Sequence, residues 1–208
     1  MAIKNILFDL GNVLLDLELS NLERGFRRLM GEQFEQARTL LARHRIFELY
    51  ETGGISTAEF LDAVCRSVEP HLSPDAVVDV WNAILLGFPP ERFAMLTELR
   101  RTHSVFLLSN INELHADWID DYMLRTYALA DYRSVYFDGA YYSHLIRLRK
   151  PDADAFEYVL ADAEIKAEET LFIDDLPANV AGATAVGLKA LLKQPEEDVK
   201  TLLANALR

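Results

Sequence analysis

The stretch "FDLGNVLL", residues 8–15, interrupts an apolar run with a single carboxylate, Asp9, then a glycine and an asparagine, before apolar residues resume. Upstream, "IKNILFD" is almost continuously apolar, the pattern of a strand covered on both faces. An acid that ends a strand is ordinarily a turn former or helix cap. Whether Asp9 is more than that depends on what the rest of the chain brings to it.

Four further runs read as strands of the same kind: "SVFLLS", "SVYFD", "TLFID" and "LKALLK". Helical patterns separate most of them. "PERFAMLTELRR" aligns Phe93, Leu96 and Leu99. "PDADAFEYVLADAE" places Pro151 at a first helical position and aligns Phe156, Val159, Leu160 and Ala163. "PANVAGATAVG" opens on a proline and stops at Gly187. Alternating strands and helices predict an α/β fold, a doubly wound parallel sheet with helices on both faces.

Between the first strand and its successor, residues 16–88 read as helices only. Ser20 with Glu23 and Ser56 with Glu59 have the spacing of capping boxes, and Ser73 precedes Pro74 as a third cap. Apolar stripes follow each start: Leu22, Phe26, Leu29 and Met30; Phe60, Val64 and Val68; Val77, Trp81 and Ile84. A helix in between ends at Gly53-Gly54. The expected organisation is a core of residues 1–15 and 89–208 carrying an all-helical insert, residues 16–88.

The 208 residues are half hydrophobic, enough for a sizeable core. No apolar run approaches the ~18 residues of a membrane span, and the N-terminus meets an acid too early for a signal peptide. The lone cysteine, Cys65, excludes an internal disulfide and lies on an apolar helical stripe, consistent with packing in a cytoplasmic protein. A net charge of −12, from 33 acids against 21 lysines and arginines, repels nucleic acid and anionic lipid, so neither is an expected partner. An anionic substrate then needs a local cationic site. "HLIRLRK", residues 144–150, offers Arg147, Arg149 and Lys150 without an acid among them.

Three strand-like runs end on polar groups: Asp9; Ser109 with Asn110; Asp174 with Asp175. Ligands of open parallel sheets gather at the carboxyl ends of the strands, so these tips converge if the strands are neighbours. Asp120-Asp121 makes the contrast, because that pair sits in a helical pattern and reads as a solvated face. Together the tips form a chemical unit. Asp9 suits a carboxylate nucleophile that attacks phosphorus. Three nearby carboxylates raise one another's pKa values, and Mg²⁺ held by Asp9, Asp175 and the Gly11 carbonyl, with Asp174 in support, relieves this. Ser109 and Asn110 can bind phosphoryl oxygens. Lys150 offsets charge on the nucleophile and the transferring group. Asn179 is positioned to orient a metal-bound water.

"FDLGNV", "LLSN", "RKP" and "FIDD", in this order, resemble the four motifs of the haloacid dehalogenase superfamily, over the whole chain. The resemblance implies a Rossmann-like core with the active site under a helical cap, and a Mg²⁺-dependent phosphatase passing through an aspartyl-phosphate. It implies Asp9 as nucleophile, Ser109 as phosphate binder, Lys150 as the family lysine and Asp175 as the main metal ligand. One position departs from the pattern. Family phosphatases carry a second acid, the proton donor and acceptor, where this chain has Gly11.

Three readings follow. In the first, ahead of the others, a phosphatase of small phosphorylated metabolites obtains its proton elsewhere; "FDLGNV" is similar to a bacterial branch that hydrolyses sugar phosphates such as glucose 1-phosphate. Asp16 is the nearby alternative acid, although a solvated linker residue is its better reading. The second is a binding protein that keeps the Mg²⁺ and phosphate site. The third is a 2-haloacid dehalogenase, which needs no second acid but fits Asp174 and Asp175 badly. Substrate choice should reside in the insert, which has seven arginines, no lysine and twelve acids. Arg28, Arg43 and Arg45 are read as ordinary surface charges, and Trp81, Phe47 and Tyr50 as cap core. The single insertion point makes cap opening around residues 16 and 88 a further expectation. The chain is expected to be a monomer or small homo-oligomer.

Overall fold

All four residues of β1 (Asn5–Phe8) are buried, and their alternation feeds two different cores. Ile6 and Phe8 enter one, and Leu7 enters the other. This is why the run shows no polar face. In the computed structural model, which describes residues 2–207, β1 is central in a five-stranded parallel sheet. It lies between β4 (Ser104–Ser109) and β6 (Thr170–Asp174), with β5 (Gly139–Tyr142) and β7 (Lys189–Leu192) at the edges.

The two faces are covered by different helices. α6 (Pro90–Leu99), α7 (Glu113–Tyr127) and α12 (Val199–Ala206) bring Leu96, Ile119 and Leu203 to the core with Ile6 and Phe8. α10 (Ala153–Asp162) and α11 (Pro177–Ala185) bring Phe156, Val159 and Ala183 to the core with Leu7.

The insert has its own core. Its helices are α1 (Ser20–Met30), α2 (Phe34–Arg43), α3 (Ile46–Glu51), α4 (Thr57–Cys65) and α5 (Pro74–Asn82). They bury Phe26, Met30, Tyr50, Phe60, Val64, Cys65 and Trp81 against one another. Tyr50 stacks on Phe60 at 4.2 Å and Phe47 on Trp81 at 5.8 Å. The insert is not wholly helical. The chain enters and leaves it through a two-stranded antiparallel ribbon, β2 (Asp16–Leu17) with β3 (Leu85–Gly87). These strands are too short for periodicity to register. Among the described residues no helix is long and apolar enough to cross a membrane.

Three local expectations fail for identifiable reasons. "SVYFD" is not a strand: Tyr132–Tyr136 form α8, capped by Asp131, whose side chain accepts from the Ser134 N–H at 3.2 Å. The edge position of the sheet goes to "GAYY" instead. Ser20 does not cap α1. Its hydroxyl donates to Glu18 Oε1 at 2.6 Å, while the Ser56–Glu59 box and the Ser73 cap do form. Pro151 precedes α10, which begins at Ala153 after an extended Asp152.

Candidate active site

Phe8 is in register with Leu107 on β4 and with Ile173 on β6. The polar residues just beyond those positions therefore meet at one edge of the sheet, across more than a hundred residues of sequence. The Asp9 N–H donates to the Ile173 carbonyl at 2.9 Å, continuing the ladder one step past the strand. A cavity of about 340 Å³ opens there, between core and insert, and Asp9, Gly11, Ser109, Asn110, Lys150 and Asp175 line it.

Lys150 organises the floor. Its ammonium is almost wholly enclosed (1% exposed) and donates to Asp9 Oδ1 at 2.5 Å and Asp174 Oδ2 at 2.8 Å. Its backbone is clamped by one side chain: Asn110 Nδ2 donates to the Lys150 carbonyl at 2.8 Å, and Asn110 Oδ1 accepts from the Lys150 N–H at 2.9 Å. The Asn110 side-chain amide thus holds the Lys150 backbone in place. Ser109 differs: it lines the cavity, and its hydroxyl has no hydrogen-bond partner among the described residues.

Asp174 is fully buried and supports its neighbours. Its carboxylate accepts from the Leu176 N–H at 2.8 Å and from Asn179 Nδ2 at 3.0 Å to each oxygen. The Asn179 amide nitrogen expected to orient water is spent on this carboxylate. Asp175 Oδ2 accepts from Asn12 Nδ2 at 2.9 Å. Asn12 reaches it from a left-handed backbone (φ 54°), a conformation asparagine tolerates better than most residues.

Asp9, Asp174 and Asp175 each present an oxygen within 4.8 Å of the others. Burial first, and then Asp174, push the Asp9 carboxyl up to about 7, although Lys150 acts against both. Burial works against the Lys150 charge, but Asp9 and Asp174 outweigh it and hold the ammonium above its ordinary range. Burial beside Asp174 therefore disfavours the Asp9 charge by more than Lys150 favours it. A hard divalent cation bound by these all-oxygen donors supplies the missing charge, so the residues fit Mg²⁺.

Gly11 is tightly packed. A Cβ built on it would stand 2.7 Å from Leu17 Cδ1, so a leucine of the ribbon fills the room that an acid there would need. Asp16 does not line this cavity; it pairs with Arg92 Nη1 at 2.8 Å and lines an adjoining cavity that shares Asn12, Leu17 and Asp175 with the first. Arg28, Arg43 and Arg45 do not line the cavity. The sequence reading missed Leu17 and Asn12. It also missed Glu51 of the insert, which lines the cavity and meets Arg149 Nη2 at 2.8 Å. No local pattern marks these three, because their partners are remote in sequence or, for Leu17, defined only by packing.

Residues 3–187 match the family model for haloacid dehalogenase-like hydrolases. The chain is 27% identical over 199 residues to the D-ribitol-5-phosphate phosphatase of Bacteroides thetaiotaomicron, spanning 93% of this chain and 92% of that protein. Among solved structures it resembles an HAD family enzyme of the same species in complex with magnesium and inorganic phosphate. That likeness has 30% identity and a TM-score of 0.84, and covers 97% of this chain and 99% of the other. A predicted HAD-like hydrolase of Porphyromonas gingivalis is 32% identical with a TM-score of 0.87, covering 100% and 99% of the two chains.

Proposed function

The chain belongs to the haloacid dehalogenase-like hydrolases, and from that premise we propose that it is a Mg²⁺-dependent phosphomonoester hydrolase of a small phosphorylated metabolite, a sugar or polyol phosphate, acting through an aspartyl-phosphate. The observation that carries this reading is the buried Asp9–Lys150–Asp174 group at the cavity floor, with the free Ser109 hydroxyl beside it. The ribitol-phosphate phosphatase relative supports the substrate class.

Asp9 is the nucleophile. Its attack on phosphorus forms an acyl phosphate and expels the alcohol, and water then cleaves the acyl phosphate to regenerate the carboxylate. Lys150 holds Asp9 in position and stabilises negative charge on the transferring group. Ser109 donates its hydroxyl to a phosphoryl oxygen. Asp174 fixes Lys150 and is itself fixed by Asn179 and the Leu176 N–H. Asp9, Asp175 and the Gly11 carbonyl, with Asp174 in support, would hold Mg²⁺, which would supply positive charge against the carboxylates and the transferring phosphoryl group. With no acid at Gly11, the leaving oxygen takes its proton from water or from the substrate, which favours alcohols that leave readily. We assign residues 16–88 as the cap over residues 1–15 and 89–208, and place the protein in the cytoplasm as a monomer or small homo-oligomer.

The test is phosphate release from sugar and polyol phosphates and p-nitrophenyl phosphate, with Mg²⁺ or with chelator. Asp9→Asn is expected to lower kcat on the order of 10⁴-fold or more, and chelation to abolish turnover. Turnover that survives in Asp9→Asn would sink the proposed mechanism. Mg²⁺ and phosphate binding without turnover would favour the binding-protein reading.

A further inference from the structure

The cavity is much larger than a phosphoryl group, so its outer walls meet the alcohol part of the substrate. Most polar side chains on those walls are already engaged. Asn112 Oδ1 accepts from Trp81 Nε1 at 3.2 Å and from the His115 N–H at 3.1 Å, and its amide nitrogen lies 3.1 Å from His115 Nδ1. His115 Nε2 reaches the Trp81 carbonyl at 3.0 Å. The amide nitrogens of Asn12, Asn110 and Asn179 serve Asp175, Lys150 and Asp174. Leu17, Leu22, Trp81 and Ile84 make much of the remaining wall apolar.

One charged pair stands apart. Glu51, the last residue of α3 in the insert, meets Arg149, the residue before Lys150, at 2.8 Å. Both line the cavity, and both side chains are about one-third exposed (28% and 33%). The pair is placed firmly, because the Ser143 hydroxyl donates to the Glu51 carbonyl at 2.6 Å. The Gly53 turn that follows packs so tightly on the His144 carbonyl that a Cβ would lie 2.3 Å away. Arg149 Nε is a buried donor with no partner. A carboxylate with acceptor capacity left over from its ion pair is complementary to a hydroxyl, which can donate to it.

We propose that Glu51 and Arg149 are the specificity-determining pair, selecting phosphate esters whose alcohol carries a further hydroxyl that donates to the Glu51 carboxylate, which Arg149 holds in place. The inference rests on the phosphatase reading and narrows its substrate class. The substrate's CH surface lies on the leucines and Trp81, and its hydroxyl edge turns toward the pair. Burial raises the Glu51 carboxyl against the pull of Arg149 and Lys150, with Glu48 also raising it. A further hydroxyl donor is therefore favourable at this carboxylate.

The experiment compares kcat/KM for ribitol 5-phosphate and n-pentyl phosphate, two five-carbon esters that differ in their hydroxyls. A hydrogen bond to a charged group is worth roughly 10- to 100-fold, so the wild type is expected to prefer the polyol ester by at least about tenfold. Glu51→Gln is expected to reduce that ratio to within about threefold of unity. Arg149→Lys keeps the charge but loses the guanidinium contact that holds the Glu51 carboxylate, and it reads the same ratio if Glu51→Gln does not fold. A ratio that survives both substitutions overturns the proposal, as does equal loss on both esters, which would make the pair a latch for the insert. A wild type that prefers n-pentyl phosphate also overturns it, in favour of the apolar wall. Hydrolysis of p-nitrophenyl phosphate by the wild type with Mg²⁺, lost in Asp9→Asn, reports separately on the phosphatase reading. Its absence overturns that reading and the pair's role together.

Discussion

On the core side of the cavity, Asp9, Lys150 and Asp174 are nearly sealed from solvent and bonded to one another. On the opposite side the insert supplies Leu17, Leu22, Trp81 and Ile84, with Glu51 as its one charged group facing the cavity. The first region concentrates charge where phosphorus would react. The second offers little polarity. The insert has seven arginines, yet none lines the cavity; Arg27, Arg38, Arg45 and Arg66 instead form exposed ion pairs within the insert. On the proposed function, the strand ends would carry the reaction chemistry and the insert wall the selectivity.

The largest test of the core side is Lys150→Ala. It leaves Asp9 and Asp174 buried without their cation, and breaking a buried pair of this kind costs about 3–5 kcal/mol. Urea unfolding should show that loss together with loss of phosphate release. Ordinary stability with the activity gone would mean that Lys150 serves catalysis alone.

The next test crosses the boundary between the two sides. Gly11→Asp by itself should not help, because its Cβ meets Leu17. Gly11→Asp with Leu17→Ala opens the space and installs a proton donor. The double variant should raise kcat on ribitol 5-phosphate by up to 10²- to 10⁴-fold relative to p-nitrophenyl phosphate, whose alcohol needs no proton to leave. An unchanged ratio would show that the leaving oxygen already has an efficient donor.

The smallest effect belongs to the seam between core and insert. His115 of α7 stacks on Trp81 at 5.3 Å, and burial lowers its pKa to about 4. A folded-state pKa below the unfolded value of about 6.5 means that the unfolded chain takes up the proton first. The contribution is therefore complete above pH 6.5 and is lost as pH falls toward 4, about 3 kcal/mol in all. Denaturation midpoints measured from pH 7 to 4 should show this slope, and His115→Gln should flatten it. An equal slope in both proteins would place the acid sensitivity elsewhere.

Much of the core side was legible in the chain. Continuous apolar runs ending in Asp9, Ser109 and Asp174 marked strands buried on both faces, and their polar tips had few reasons to be there except a shared site. The Ser56–Glu59 box and the stripe through Phe60 and Val64 were readable because helix capping and periodicity are local. "SVYFD" was misread because β-branched and aromatic residues suit a strand equally well, whereas the Asp131 cap and the competition of "GAYY" for the sheet edge decided otherwise. Asn110 and Asn179 line the cavity, and their bonds to the Lys150 backbone and to Asp174 were not legible, because a short amide bonds to whatever backbone or carboxylate the fold brings nearest.

By itself, then, the sequence determined the fold class, most strands of the parallel sheet and the polar residues at their ends, since each depends on periodicity or on a residue at the end of a strand. The tertiary structure alone decided that Lys150 joins Asp9 to Asp174, that Leu17 occupies the space beside Gly11, and that Glu51 meets Arg149 over the cavity. Those are contacts between residues remote in sequence or related only by packing. Their geometry follows from strand register and from how the insert docks on the core, neither of which any local stretch of sequence encodes.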